Sequence, residues 1–584
     1  MRIEKLHIKG FRNFRDEEFL FQPQTLIIGA NDVGKTNLLY ALRLLFDKSL
    51  NEHDLELTDS DYNVYSGTEY IEITVTISEI TEECLVSIFA GNIKDEKMII
   101  RYTNSKNSQY SIWTGYDESV LEEQATRYYI KRLNMQYVDA NRELFGFLKR
   151  ERVQLLNISK EHLDKEKKDA DETLTDEIQS RLHDINSKVN SLNYVSSALE
   201  SVNTELARLS IHNEDQNVKF IAGESDAGKL LDTLILAYSS DEGPLTIGGD
   251  GRNNQIFLAT WIAKQNIQKN IDHVTFFAIE EPEAHLHPHQ QRKLSEYIQR
   301  NFKDQVLITS HSPQIASQFK ADSIIRLYSA EKYTHVACGG CSQMIKSEFE
   351  NFGYRLNIIS AETFFSDGVF LVEGVSEVLF YTALSREIGV DIDRLNISIL
   401  AVEGVGFKPY VAICEALKIP WVLRTDNDIF SKPTKNPESD YYAGISRIAG
   451  ILSQTQNENE EINLYWKQHE AENEWIHGKN PTKEANDLNN NFRIRATNYG
   501  LYLSEVDLET DLAKSSLYDD LKKHYNKRKC STLVKAMQKH KAQNMMRFLI
   551  KEHNKLKKLQ GTKICEPLLS LKKTVEERSH PTHD

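Results

Sequence analysis

Apolar and polar positions along this chain fall into blocks of distinct period, and the blocks predict its elements. Thr25–Ile28 is a short apolar run. A glycine-bearing loop follows it, then Leu38, Leu39, Ala41, Leu42 and Leu45 at helical spacing. The first fifty residues therefore read as two strands, a loop and a helix. Residues 69–77 (EYIEITVTI) alternate with the period of a half-buried strand. From roughly 140 to 218 the texture changes. The stretch KEHLDKEKKDADETLTDEIQSRLHDINSKV is charged, lacks Gly and Pro, and predicts a helical insertion or coiled arm. Sheet-like text resumes at Val274–Ile279 and Val306–Thr309. After about residue 345 a second α/β pattern starts, with apolar runs at Val369–Val372, Ile397–Val402 and Trp421–Arg424. Residues 453–490 are polar and read as an excursion from that second domain. No internal repeat is evident.

Composition bounds the class. A chain of 584 residues with 40% hydrophobic positions has ordinary core-forming content and predicts three or more structural domains. No apolar run reaches the roughly 18–20 residues that span a bilayer, and MRIEKLHIKGFRNF carries no secretory apolar core, so no membrane partner is expected. Six cysteines are no disulfide scaffold, which makes a reducing, cytoplasmic setting the expectation. The net charge of −15 conceals a division. From Lys522 to Lys573 sixteen Lys or Arg face two acids, a local +14 that leaves −29 for the remainder. Such a basic block is either a solvated helical face or the footprint of a phosphate-rich partner. It has little aromatic interleaving, so stacking on single strands is not signalled.

The first chemical motif is Gly29-Ala-Asn31-Asp-Val-Gly34-Lys35-Thr36, which fits GxxxxGK[ST] and sits between an apolar strand and a helix. Glycines there let backbone N–H groups face phosphate oxygens, the lysine supplies a point charge to the β and γ phosphates, and the Thr36 hydroxyl suits Mg²⁺. Asn31, Gly34, Lys35 and Thr36 are the nucleotide-contacting candidates. A second GxxxxGK at Gly223–Lys229 continues with Leu230, which holds no metal, and its Glu224 and Asp226 repel phosphate. It is read as no phosphate loop. The apolar run Phe276–Ile279 ends in Glu280 and Glu281, which places one carboxylate for Mg²⁺ and the next as the base that positions water. Val306–Thr309 leads to His311, a candidate partner for the γ-phosphate. His285, His287 and His289 alternate but are read as loop residues rather than a metal set. Cys338 and Cys341 form one CxxC, too few ligands for zinc, and are read as a turn between domains.

The second motif is Phe370-Leu-Val-Glu373-Gly374 with Glu377 beyond it, followed about fifty residues later by Val422-Leu-Arg-Thr-Asp426-Asn-Asp428. Both are apolar strands ending in acids. In α/β sheets, sites form at the carboxyl ends of strands. Carboxylates gathered there repel unless cations lie between them, and hard oxygen donors suit Mg²⁺ or Mn²⁺. Two such ions per site support displacement at a phosphodiester. Loop-capping roles for the same acids are the plainer alternative.

The phosphate loop, the paired acids and His311 resemble ABC-type ATPases of the SMC and RecF kind. In that resemblance Gly248–Arg252 stands where the signature loop belongs, without its usual serine, which implies a head-to-head pair of ATPase domains. The Glu-Gly and Asp-x-Asp pairing resembles the Toprim domain. The two together, with LVEGVSEVLF, RTDNDIFSK and LSEVDLETDL, resemble the class 2 OLD nucleases, the endonuclease-subunit type of the Gabija anti-phage systems. The resemblance implies an α/β chain with an ABC-type ATPase domain over 1–345, a helical dimerisation insertion at about 140–220, and a Toprim domain with a basic helical region over 346–584. It implies a metal-dependent endonuclease acting on duplex DNA, gated by ATP with Mg²⁺, using two Mg²⁺ or Mn²⁺ ions. It also implies a homo-oligomer, dimer or tetramer, through the ATPase domain and a helicase-like partner subunit. By the same resemblance Glu373, Glu377, Asp426, Asp428 and Asp507 hold metal, with Glu505 and Glu509 as neighbours of Asp507. Glu373, Asp507, Lys541 and Glu281 are then the catalytic set, and Lys539 is the alternative to Lys541. A DNA-repair or DNA-bridging ATPase with a Toprim scaffold, and an OLD nuclease without a helicase partner, are the competing readings.

Overall fold

The computed structural model describes residues 1–106, 108–139, 153, 155–161, 163–209, 227, 238–240, 243–245, 256, 259–260, 273–301, 304–337, 361–404, 406–432, 438–457 and 460–579. The proposed signature loop 248–252, Cys338 and Cys341, the junction near 345, and Gly223–Lys229 apart from Ala227 lie outside the described residues. In chain order the strands are β1 (Arg2–Phe11), β2 (Phe14–Leu20), β3 (Gln24–Ile28), β4 (Tyr70–Ser78), β5 (Met98–Ser105), β6 (Ser111–Gly115), β7 (Glu122–Gln124) and β8 (Leu133–Val138). They continue with β9 (Tyr238–Ser240), β10 (Gly243–Leu245), β11 (Val274–Glu280), β12 (Val306–Thr309), β13 (Ile324–Ala330) and β14 (Tyr333–Val336). The second α/β region carries β15 (Gly368–Val372), β16 (Ile397–Ala401), β17 (Trp421–Thr425), β18 (Ile429–Lys432), β19 (Ser439–Tyr442), β20 (Glu474–Ile476) and β21 (Leu501–Leu503).

The chain divides into two compact units, one of residues 1–139, 272–283 and 288–584 and one of 140–271 and 284–287. Within the first, an antiparallel sheet runs β2-β1-β4-β5-β6-β7. A second sheet runs β14-β13-β3-β12-β11-β8, parallel except at β14. The helix Lys35–Phe46 buries Leu38, Leu39, Leu42 and Leu45 in one core with residues of both sheets, so the strand that leads into the phosphate loop and the helix that leaves it are both held. β3, β11 and β12 are almost wholly buried, which is why they read as continuous apolar runs rather than alternating ones.

The second α/β region is a four-stranded parallel sheet in the order β16-β15-β17-β21. Its core joins Phe370, Phe380, Tyr381 and Leu384 to Leu512, Leu533, Phe548 and Leu571 of the later helices. Residues 453–490 lie outside that parallel sheet, between β17 and β21 in the chain, and are packed rather than bare. They carry buried Ile462, Trp475, Ala485 and Leu488, and β20 completes the antiparallel sheet β18-β19-β20. Their exposed faces are polar enough to hide the period.

The two α/β regions are joined by a buried guanidinium. Arg326 on β13 donates to Leu417 O (3.1 Å) and Ser366 O (2.9 Å), and the helix Glu566–Ser579 touches β13, β15 and β17. Burial presses the Arg326 guanidinium down to a pKa of about 10, and Asp367 only partly offsets it.

In the other unit the helices Lys165–Asn190 and Asn193–Leu209 fall within the predicted helical stretch. None of the Lys165–Asn190 residues is buried, consistent with its charged sequence. β9 and β10 form a small hairpin.

Candidate nucleotide and nuclease sites

The order of the second sheet places β12 between β3 and β11, so the phosphate loop, the residues after β12 and the acids that end β11 meet at one carboxyl edge. Gly34 stands at φ +102°, before the helix that starts at Lys35. A side chain there runs into the Asn13 amide, which itself donates to Val33 O at 2.8 Å and pins the loop. Lys35 is buried and its ammonium donates to Gly29 O (3.1 Å) and Ala30 O (2.8 Å), along the loop a phosphate chain occupies. Burial lowers its pKa to about 8, against the opposing pull of Glu281, Asp32 and Glu280. Asn31 is exposed on the loop and Thr36 in the first turn of the helix.

Glu280 is buried at the end of β11. Glu281 follows at φ +41° with its N–H on Thr309 O, and its Oε1 lies 3.2 Å from His311 Nε2. Burial and the Lys35 cation hold the His311 pKa below its ordinary value despite that carboxylate. The imidazole is therefore neutral near pH 7, able to accept from one ring nitrogen and donate from the other. Glu283 was absent from the sequence-derived set. Its Oε1 accepts from Ser310 Oγ (2.6 Å) and His311 N (2.8 Å), which fixes the turn that carries His311. Its burial pushes its carboxyl pKa up.

The Toprim-like site forms at the carboxyl ends of the adjacent strands β15 and β17. Glu373 follows β15, and its Oε1 accepts from Asp426 N (2.9 Å), from Arg447 Nη1 (2.8 Å) and from the Thr425 hydroxyl. Arg447 comes from the helix Ala443–Thr455 and is almost buried; it also donates to Asp426 O at 3.2 Å. Three donors on one oxygen fix the carboxylate plane and leave Oε2 unused by them. Glu377 caps the helix Val375–Glu387 through Gly374 N (3.0 Å). Its pKa is raised by burial and by the nearby Glu509 and Glu373. Asp426 is raised to about 8 by burial and by Glu373 and Glu377, which outweigh Lys541 and Arg424. Asp428 is raised by burial and Glu373.

The distal region completes the constellation. Asp507 caps the helix Leu508–Ala513 through Thr510 N (2.7 Å) and accepts from Gln538 Nε2 (2.6 Å). Lys541, the first residue of the helix Lys541–Glu552, lies 3.2 Å from Glu509 Oε2 and 3.6 Å from Asp426 Oδ2. His540, at φ +57°, turns the chain so that Lys541 faces the acids while Lys539 stays exposed. Burial raises the Glu509 pKa, and the acids raise that of Lys541 over the opposing effect of its own burial. Glu505 turns elsewhere: its carboxylate pairs with Lys514 at 2.6 Å.

These are hard oxygen donors pressed together against their own repulsion, the donor chemistry that Mg²⁺ or Mn²⁺ relieves. Among the described residues, no three His, Cys, Asp or Glu side chains converge closely enough to form a preformed metal cluster. Arg447 and Lys541 stand among the acids and take part of their charge. Arg447 belongs to no motif, and Thr425, though it stands in the Asp-x-Asp stretch, is marked by no motif position; their approach to Glu373 in space reveals them.

Residues 25–317 match the family described as "AAA domain, putative AbiEii toxin, Type IV TA system", and residues 364–428 match "Overcoming lysogenization defect protein-like, TOPRIM domain". An endonuclease GajA of Bacillus cereus (strain VD045) is 24% identical over 94% of this chain and 95% of its own length. An OLD nuclease of Thermus scotoductus is 23% identical over 73% of this chain and 82% of its own length. An Smc head bound to the C-winged helix domain of ScpA covers 57% of this chain and 97% of its own at 18% identity, with a TM-score of 0.36.

Proposed function

We propose that this chain, which belongs to the OLD family of nucleases and carries an AAA-type ATP-binding domain and an OLD-like Toprim domain, hydrolyses phosphodiester bonds of duplex DNA under nucleotide control. The division we propose is an ATPase domain over 1–345 and a Toprim nuclease domain with its basic helices over 346–584. The observation that carries the reading is the meeting of Glu373 and Asp426 at neighbouring strand ends with Lys541 brought to 3.6 Å of Asp426 from the basic region.

Glu373, Glu377, Asp426, Asp428 and Asp507 are the residues that would hold divalent ions, Mg²⁺ or Mn²⁺. Such ions, two to a site, supply Lewis-acid activation of water and stabilise the leaving oxygen. The chain's own residues do the rest. Arg447 and the Asp426 N–H orient Glu373. Lys541 offers a cation to the developing charge on phosphorus-bound oxygen. The basic helices give strand phosphates a salt-dependent hold. In the ATPase domain, Lys35 and Thr36 receive ATP and Mg²⁺, Glu280 supports the metal, Glu281 positions water and His311 meets the γ-phosphate. A role in anti-phage defence, a self-associated dimer or tetramer and a helicase-like partner subunit complete the proposal, in line with the full-length similarity to an endonuclease GajA. Among the described residues no helix is long and apolar enough to cross a membrane.

The test is plasmid cleavage in Mg²⁺ and in Mn²⁺, with and without ATP, by wild type, Lys35→Ala, Glu373→Ala and Asp507→Ala. Both acid variants are expected to lose cleavage, whereas Lys35→Ala alters its response to ATP. Cleavage at the wild-type rate by Glu373→Ala and Asp507→Ala would sink the nuclease assignment. Loss of all function in Lys35→Ala alone would favour a repair or bridging ATPase.

A further inference from the structure

Behind the Toprim-like site lies a cavity of about 860 Å³ that no step above uses. Arg493, Ile494, Tyr502, Glu505, Lys514 and Lys563 are among its lining. We propose that it binds an organic phosphate of mononucleotide size.

The volume falls within the roughly 300–1,000 Å³ of small-ligand sites. The charges favour an anion once the closed pairs are set aside. Of the lining acids, Asp511 is taken by Arg424 and Glu505 by Lys514. Two cations remain open. The Arg493 Nη2 donates to Leu503 O at 3.2 Å, but its Nε is buried without a hydrogen-bond partner. Lys563 is exposed and forms no ion pair among the described residues. Only Glu566 stands against them as an unpaired acid of the lining. A phosphate carries more oxygen acceptors than one carboxylate and can engage the Arg493 guanidinium and Lys563, both of which line the cavity. Ile494 and Tyr502 supply apolar surface of the kind a nucleobase covers. A bare inorganic ion would leave that surface and most of the volume unfilled.

Glu505 is the internal competitor. Its carboxylate lines the same cavity and pairs with Lys514 at 2.6 Å. An incoming phosphate offers that cation a second anion. Glu505 is two residues from Asp507, and Arg424 links the cavity wall through Ser504 (3.0 Å) to Asp426, whose Oδ1 is 3.3 Å from the same hydroxyl. The cavity wall is thus linked to Asp426 through Arg424 and Ser504. The ligand is either a free nucleotide or the phosphorylated end of a strand; both present the same chemistry.

The binding does not depend on cleavage, so its test stands apart from the nuclease reading. The full chain carrying Lys35→Ala, which removes the phosphate-loop ammonium, is titrated calorimetrically with dAMP. Adding Lys563→Gln or Arg493→Gln is expected to weaken dAMP at least tenfold. Adding Glu505→Gln is expected to tighten it, a change that a merely structural role would not produce. Lys563 is exposed, so its substitution leaves the fold intact even if Arg493→Gln does not. A second arm displaces dAMP with 5′-phosphorylated and 5′-hydroxyl oligonucleotides. Displacement by the phosphorylated oligonucleotide alone identifies a strand end as the ligand; displacement by neither identifies the free nucleotide. Absence of dAMP binding, or affinity unchanged in Lys563→Gln, overturns the proposal.

Discussion

Replacing Lys541 with methionine pulls apart two properties that usually fall together in a metal-dependent site. The ammonium stands 3.2 Å from Glu509 and 3.6 Å from Asp426. At an effective dielectric near 20, each contact between full charges is about 5 kcal/mol of gross attraction, and the raised pKa of both acids reduces it. The Lys541 side chain is 40% exposed, so solvent screening and desolvation return most of that, leaving about 1–2 kcal/mol in total. A divalent cation entering the acid cluster competes with the ammonium for the same carboxylates. Removing the ammonium therefore raises Mn²⁺ affinity about tenfold, the factor that ~1.4 kcal/mol represents. Cleavage moves the other way. A pre-placed cation facing developing negative charge contributes about 10²–10³ in rate, so Lys541→Met is expected to cut DNA that much more slowly at saturating metal. Calorimetric titration of Mn²⁺ into protein stripped of metal reads the first quantity, and plasmid nicking at saturating Mn²⁺ reads the second. Weaker metal binding together with slower cleavage would refute the reasoning, because it would make Lys541 a prop for the ligands. Unchanged cleavage would refute it as well.

Three further outcomes are expected. Gly34→Ala forces a side chain into φ +102° and into the Asn13 amide, and should lower ATP affinity at least tenfold in fluorescence titration; unimpaired binding would show that the loop relaxes freely. Arg326→Met strips Leu417 O and Ser366 O of their donor at about 1–3 kcal/mol each, partly offset by relief of a buried charge, so the melting midpoint should fall, and an unmoved midpoint counts against a structural seam. At the surface, hydrogen bonding and charge from Asp440 raise the His477 pKa, while His477 and Ser431 hold Asp440 near 2. The His477 contribution to stability is thus complete below its unfolded pKa and lost as pH rises through its folded value, whereas that of Asp440 is complete above the ordinary carboxylate range and lost as pH falls toward 2. Imidazole NMR titration of Asp440→Asn should show His477 titrating at lower pH, and an unchanged midpoint refutes the coupling.

The elements that carry the two sites were legible because buried parallel strands leave continuous apolar runs, and each such run here ends in its chemical group. Thr25–Ile28, Val274–Ile279, Val306–Thr309 and Val369–Val372 all lie within or along observed strands. What periodicity cannot carry is approach through space. Arg447 sits within an ordinary amphipathic helix, and nothing local marks the 2.8 Å contact with Glu373. Glu283 reads as one more acid in a run, although its bonds to Ser310 and His311 hold the turn. The choice between Lys539 and Lys541 rested on a left-handed residue, His540, whose conformation no spacing rule supplies. Residues 453–490 read as an excursion because their solvent face is so polar, while their buried side is sparse but continuous.

The seam at Arg326 has a consequence for the order in which the molecule acquires its properties. The guanidinium needs Ser366 O and Leu417 O, and the neighbouring face of β13 is touched by the helix Glu566–Ser579. At about 5–20 residues per second, a ribosome takes roughly ten to fifty seconds to pass from Arg326 to that helix. Through most of that interval the nascent chain holds the complete phosphate-loop sequence but neither Lys541 nor the covering helix. A chain released before residue 541 thus carries the phosphate-loop sequence without the lysine that stands beside Asp426.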